Sequence, residues 1–130
     1  ESLGVAHHVK FHGRVTEDEK FKLLNQADVF MMLSEQTSTG DVEGFGIAIL
    51  EANVVGLPAV GSLNCGIEDA IEDKQSGRLV HPHDVDEIVL AIKDIMNNQS
   101  QYSAQAKAWS EHFTWDKIGK KYLEVLAEFE

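Results

Sequence analysis

The stretch of this sequence richest in chemistry is "DVEGFGIAILEA", residues 41–52. Glu43 and Glu51 bracket two glycines, Gly44 and Gly46, and a phenylalanine, Phe45. Glycines at a loop-to-helix junction let the backbone approach a ligand closely, and the amides at the start of a helix suit a phosphate or diphosphate. A carboxylate one turn into that helix can accept two hydrogen bonds from a diol such as a ribose. These residue types together favour a nucleotide or nucleotide-sugar site, with Glu51 on ribose hydroxyls and Glu43 at the cleft mouth on sugar hydroxyls. The competing reading makes Gly44 and Gly46 a plain turn, Phe45 a core plug and Glu51 a structural or exposed carboxylate. At helical spacing Ile47, Leu50, Val54 and Val55 share a face with Glu51 in its middle. That pattern predicts a carboxylate set in a core stripe, which some partner must meet.

Other candidates are weaker. The loop "GSLNCGIEDAI", residues 61–71, offers small residues and amides opposite the first, and Asp69 in it reads equally as an acid favoured by a helix dipole. His81 and His83 flank a proline and His7 and His8 are adjacent, but no cysteine pair or H-E-x-x-H spacing accompanies them, so no metal site is expected. Cys65 would be a nucleophile only beside a base, and the sequence offers none near it, so it reads as a bystander thiol.

Positioning these residues requires a particular order of elements. "HVKFHG", residues 8–13, alternates as a short strand does, and Thr16 with Glu19 forms a capping-box signature before a helix striped by Phe21, Leu24 and Ala27. "DVFMMLS", residues 28–34, is a continuous apolar run, predicting a strand buried on both faces of a parallel sheet. A polar loop follows over 35–44, then a helix from about Gly46 to Val55, ended by Gly56 and Pro58. "PAVGS" and "SGRLVHP" read as strands around a short helix in "GIEDAIE". Asp84 and Glu87 cap a helix carrying Val85, Ile88, Ile92, Ile95 and Met96 on one face. Two more helices are expected near 100–112 and 115–129, the last striped by Trp115, Ile118, Tyr122, Val125, Leu126 and Phe129, with Thr114 as its cap. Alternating strands and helices imply a Rossmann-like parallel α/β sheet with flanking helices, whose ligands sit at the carboxyl ends of the strands.

Length and composition set the outer limits. One hundred and thirty residues make a single domain, and 43% hydrophobic with 25% charged residues argues for a packed core. Eleven basic against 22 acidic side chains, a net charge of −11, disfavours nucleic acid and anionic membrane surfaces as partners. No apolar run is long enough to span a bilayer, the N-terminus does not read as a signal peptide, and one cysteine gives no internal disulfide; a cytoplasmic setting is the expectation.

"EGFGIAILEA", "GLPAVGS", "CGIEDAI" and "SGRLVHPHD" resemble the nucleotide-binding half of the retaining glycosyltransferases of family 4 (group 1), which have the GT-B fold. The family's E-x7-E pattern is met by Glu43 and Glu51, and the resemblance covers nearly the whole chain. It implies that Glu51 binds ribose, that Gly46 and Ile47 face the diphosphate, and that Glu43, with Phe45, contacts the donor sugar, Glu43 as the catalytic candidate and Gly44 beside it. Gly13, Arg14 and Val15 would help form the base pocket. The donor would be a nucleotide-diphosphate sugar, with "GDVEGFG" leaning to GDP-mannose or related donors, and no cofactor or obligatory metal is implied. Cys65 and Gly66 stand where the family usually has two glycines, and Asp69 replaces its usual glutamate.

The resemblance also implies a truncated, partial C-terminal domain over residues 1–130, lacking an N-terminal acceptor domain and the basic phosphate ligands of earlier strands, and so inactive alone. Self-association through an exposed sheet edge is an associated expectation. A non-catalytic nucleotide- or sugar-binding module and another GT-B enzyme are the alternatives.

Overall fold

The structure is a computed structural model and describes residues 3–35, 40–41 and 43–129. Three parallel strands, β1 (Phe30–Met32), β2 (Ala59–Ser62) and β3 (Gly77–Val80), form a sheet in the order β1-β2-β3. Phe30 pairs with Ala59 and Ala59 with Gly77, and the registers run on from there to Met32, Gly61 and Leu79. Helix α1 (Glu17–Gln26) precedes β1, α2 (Ile47–Val54) joins β1 to β2, and α3 (Val85–Asn97), α4 (Gln99–Ser110) and α5 (Trp115–Ala127) follow β3. Single 3-10 turns occur at Ala6–His8, Gly66–Ala70 and Glu111–Phe113.

Side chains alternate across β2 and so divide the core between the two sheet faces. On one face Ala59 packs with Ile49 of α2 and with Ile67, Ala70 and Ile71 of the connection to β3. On the other, Val60 and Val80 pack with Ala91 and Ile95 of α3 and Tyr102 of α4. Central β2 is buried at every residue, as the continuous apolar reading requires.

Strand β1 departs from that reading. Phe30 and Met32 are half-buried and Met31 is exposed, β1 being an edge strand among the described strands. Residues 8–13 also form no strand, and Phe11 stands exposed. A strand needs a paired neighbour to satisfy its backbone, and none of the described strands pairs with this segment. The predicted loop at 35–44 falls partly on residues outside the described set.

The starts of α1 and α3 are capped by the side chains that the sequence predicts. Thr16 Oγ1 accepts from the Glu19 amide at 3.3 Å while Glu19 Oε2 accepts from the Thr16 amide at 2.9 Å, a complete capping box. Asp84 Oδ1 accepts from the Glu87 amide at 2.9 Å. Three stripes are less buried than their spacing predicts: on α1 Phe21 and Leu24 are half-buried and Ala27, just past its end, is exposed. Val85 and Met96 on α3 are exposed, Ala91 and Ile95 carrying its contact with the sheet. On α5 no residue is buried, and Thr114 gives no side-chain cap.

Candidate functional site

Helix α2 is rotated relative to the expectation. Ile49, Ala52 and Asn53 form its buried face, Asn53 Nδ2 donating to the Leu57 carbonyl at 2.9 Å. The face carrying Ile47, Leu50, Glu51 and Val54 turns outward, with Ile47 70% exposed. Glu51 therefore does not sit in the core. It lines an apolar groove of about 650 Å3 between α2, α1 and the start of α5, together with Phe21, Phe45, Phe113 and Trp115.

What Glu51 meets in that groove is Lys20. The ammonium Nζ donates to Glu51 Oε1 at 2.9 Å and also bridges to Glu17 Oε2 at 2.8 Å. Glu17 first and Glu51 second hold the Lys20 ammonium above the usual lysine range. No local pattern marks Lys20 in the sequence, because the contact spans 31 residues; the carboxylate of Glu51 in an apolar stripe is the one signal that a partner is required.

The junction ahead of α2 gathers the remaining candidates. Gly46 is its N-cap with φ +85°, a left-handed conformation that glycine adopts without a Cβ penalty. Glu43 Oε1 accepts from the Gly46 amide at 3.2 Å and from the Phe45 amide at 3.5 Å, so a carboxylate oxygen already occupies the start of this helix. The Gly66 amide donates to the Glu43 carbonyl at 3.0 Å, which ties the loop after β2 to the loop before α2. Both loops leave the carboxyl ends of parallel strands, the place where such sheets bind ligands.

Phe45 is half-buried, packed against the Ile49 cluster and against Phe113 with ring centroids 5.5 Å apart. Trp109 meets Phe113 edge-to-face, with ring centroids 5.2 Å apart, and donates from Nε1 to the Ala70 carbonyl at 2.9 Å. The structure thus puts Phe45, Ile47 and Glu51 on the groove wall, with Glu43, Gly44 and Gly46 at the junction that leads into α2. Arg14 and Val15 lie elsewhere, lining a separate depression of about 340 Å3 with His12, Glu19 and Lys22, and Gly13 precedes it with φ +63°.

Cys65 is partly buried, its Sγ 3.6 Å from the Ser62 carbonyl. Asp69 is exposed. His81 and His83 pair with carboxylates, Glu87 at 2.8 Å and Glu35 at 2.6 Å. Among the described residues no group of three or more His, Cys, Asp or Glu is placed to hold a metal ion, and no helix is long and apolar enough to cross a membrane.

Comparison with known proteins decides the family. The model of the glycosyl transferases group 1 family matches residues 1–112. This chain belongs to that family. It is 33% identical over 130 residues to the GDP-mannose-dependent alpha-(1-6)-phosphatidylinositol monomannoside mannosyltransferase of Mycolicibacterium smegmatis, covering 96% of this chain and 34% of that protein. It is 32% identical over 127 residues to the amylovoran biosynthesis glycosyltransferase AmsK of Erwinia amylovora, covering 92% of this chain and 31% of that one. Among solved structures, Anabaena Alr3699/HepE in complex with UDP and glucose superposes with a TM-score of 0.76 at 26% identity, over 97% of this chain and 34% of that chain. The group 1 chain thus spans about a third of the length of these relatives. Its α/β fold of parallel strands and flanking helices matches that of GT-B glycosyltransferases.

Proposed function

We propose that this chain forms the donor-nucleotide half of a glycosyltransferase that uses a nucleotide-diphosphate sugar for retaining transfer. The observation that carries the reading is the arrangement at α2: main-chain amides at its start already hold a carboxylate oxygen, and Glu51 stands just beyond on the open face. An anion seat followed by a hydrogen-bond acceptor matches a diphosphate followed by a ribose.

In this reading the Gly46 and Ile47 backbone faces the diphosphate and stabilises it as it leaves, without an obligatory metal. Glu51 accepts from the ribose hydroxyls. Glu43, released from the amides of Phe45 and Gly46 when phosphate takes them, reaches the donor sugar from beside Gly44 and Phe45. The acceptor is held by a further domain of the kind that the longer relatives have room for, and the 130 residues alone do not turn over substrate. GDP- and UDP-sugars are the donors to compare, since the relatives include a GDP-mannose-dependent enzyme and a structure with UDP. A lone cysteine and a nucleotide-sugar donor fit a cytoplasmic setting.

Calorimetry with GDP, UDP and ADP against the parent chain and Glu51→Gln tests this reading. Removing a charge-assisted acceptor costs about 1.5–3 kcal/mol, so Glu51→Gln is expected to weaken ribonucleotide binding about 10- to 100-fold. Equal affinity of parent and variant overturns the ribose assignment.

A further inference from the structure

We propose that Lys20 is a positioning residue for the ribose-binding carboxylate, anchoring one oxygen of Glu51 so that the other is presented to the diol. The proposal rests on the assignment of Glu51 to ribose. Its basis is geometric. Lys20 Nζ lies 2.9 Å from Glu51 Oε1, and both side chains are only partly exposed, at 27% and 36%. The two residues are 31 apart in the chain, so the contact reaches from α1 to α2 and is not made by local sequence.

The anchor is itself held. Glu17 takes the same ammonium at 2.8 Å, and the Phe21 ring lies with its centroid 5.3 Å from Nζ on the wall of the groove. Behind it, the capping box fixes the first turn of α1, and the Lys20 amide donates to the Thr16 carbonyl at 2.9 Å. A glutamate side chain on a helix surface otherwise samples several rotamers, and each must be given up when a ligand is bound. A carboxylate already tied through Oε1 loses less on binding, and Oε2 retains the lone pairs that a diol needs. Oriented in this way, Glu51 binds ribose more tightly than an unanchored carboxylate would.

The test compares GDP and UDP with their 2′,3′-dideoxy analogues by calorimetry, on the full 130-residue chain. The readout is the preference for the ribonucleotide, because a general effect of charge on the phosphates cancels in that ratio. The parent is expected to prefer the ribonucleotide, Glu51→Gln to lose that preference, Lys20→Met to reduce it about fivefold, and Lys20→Arg to restore most of it. Lys20→Gln repeats the measurement should the methionine variant not fold. If Lys20→Met keeps the full preference while Glu51→Gln loses it, the positioning role is overturned and the ribose assignment stands. A stronger preference in Lys20→Met also overturns it, since Lys20 would then be a competitor for Glu51. A parent chain that binds no nucleotide, or binds both forms equally, overturns the ribose assignment and the positioning role with it.

Discussion

Gly66 has a measurable reason to carry no side chain. A Cβ there would stand 1.9 Å from the Gly44 carbonyl oxygen and 2.7 Å from that of Glu43, both backbone atoms that cannot swing aside. Gly66→Ala is therefore expected to push the two loops apart, to break the Gly66–Glu43 hydrogen bond and to cost about 1–3 kcal/mol. Gly119 is the control: a Cβ on it meets nothing within 4 Å, and alanine there removes a helix-weakening glycine, stabilising by about 0.5–1 kcal/mol. Thermal melts of the two variants should move in opposite directions, and an unchanged melt for Gly66→Ala would contradict the close approach. The glycines and glutamates of this junction were legible from type and spacing alone. The phase of α2 was not: Asn53 is fully buried with its amide on the Leu57 carbonyl, and the face that carries Glu51 turns to the groove instead of the core. Lys20 was illegible for a related reason: a partner 31 residues away appears only once the chain is folded.

Among elements, the caps of α1 and α3 were legible because they are local, and the segment at 8–13 was not because strand formation depends on a neighbour elsewhere. The joint between β3, α3 and α4 belongs to the second kind. Arg78 on β3 meets Asp94 of α3 at 2.5 Å, and Tyr102 of α4 donates its hydroxyl to the same carboxylate oxygen at 2.6 Å. The Tyr102 hydrogen bond, with Arg78 second, holds the Asp94 carboxyl below the usual range. Burial, with the Asp94 hydrogen bond second, pushes the Tyr102 phenol up to about 12. A phenol whose proton is held more tightly in the folded chain contributes stability that is complete below its ordinary value near 10. That contribution is lost as pH rises through about 12. Two pH units of displacement correspond to about 2–3 kcal/mol. Chemical denaturation between pH 9 and 12 should show a steep loss in the parent that Tyr102→Phe flattens, and parallel curves would rule the joint out as its source.

Across the whole molecule, stability is unevenly distributed. The sheet is packed on both faces, and Ile49 on one side and Ile95 on the other are fully buried. Helix α5 carries an apolar stripe as clear as any in the sequence, yet Trp115 is 84% exposed and Leu126 60%. Periodicity identified the stripe correctly, but a period states only that one face is apolar; what lies against that face depends on where the chain is carried next. Truncating a core isoleucine removes transfer energy and leaves a cavity, so Ile49→Ala and Ile95→Ala should each cost about 2–5 kcal/mol. Trp115→Ala and Leu126→Ala remove side chains that water already reaches, and each should stay within about 0.5 kcal/mol of the parent. Urea midpoints for the four variants separate the two classes. A loss of more than about 1 kcal/mol in either α5 variant would show that this helix is clamped to the sheet domain more tightly than its exposure allows.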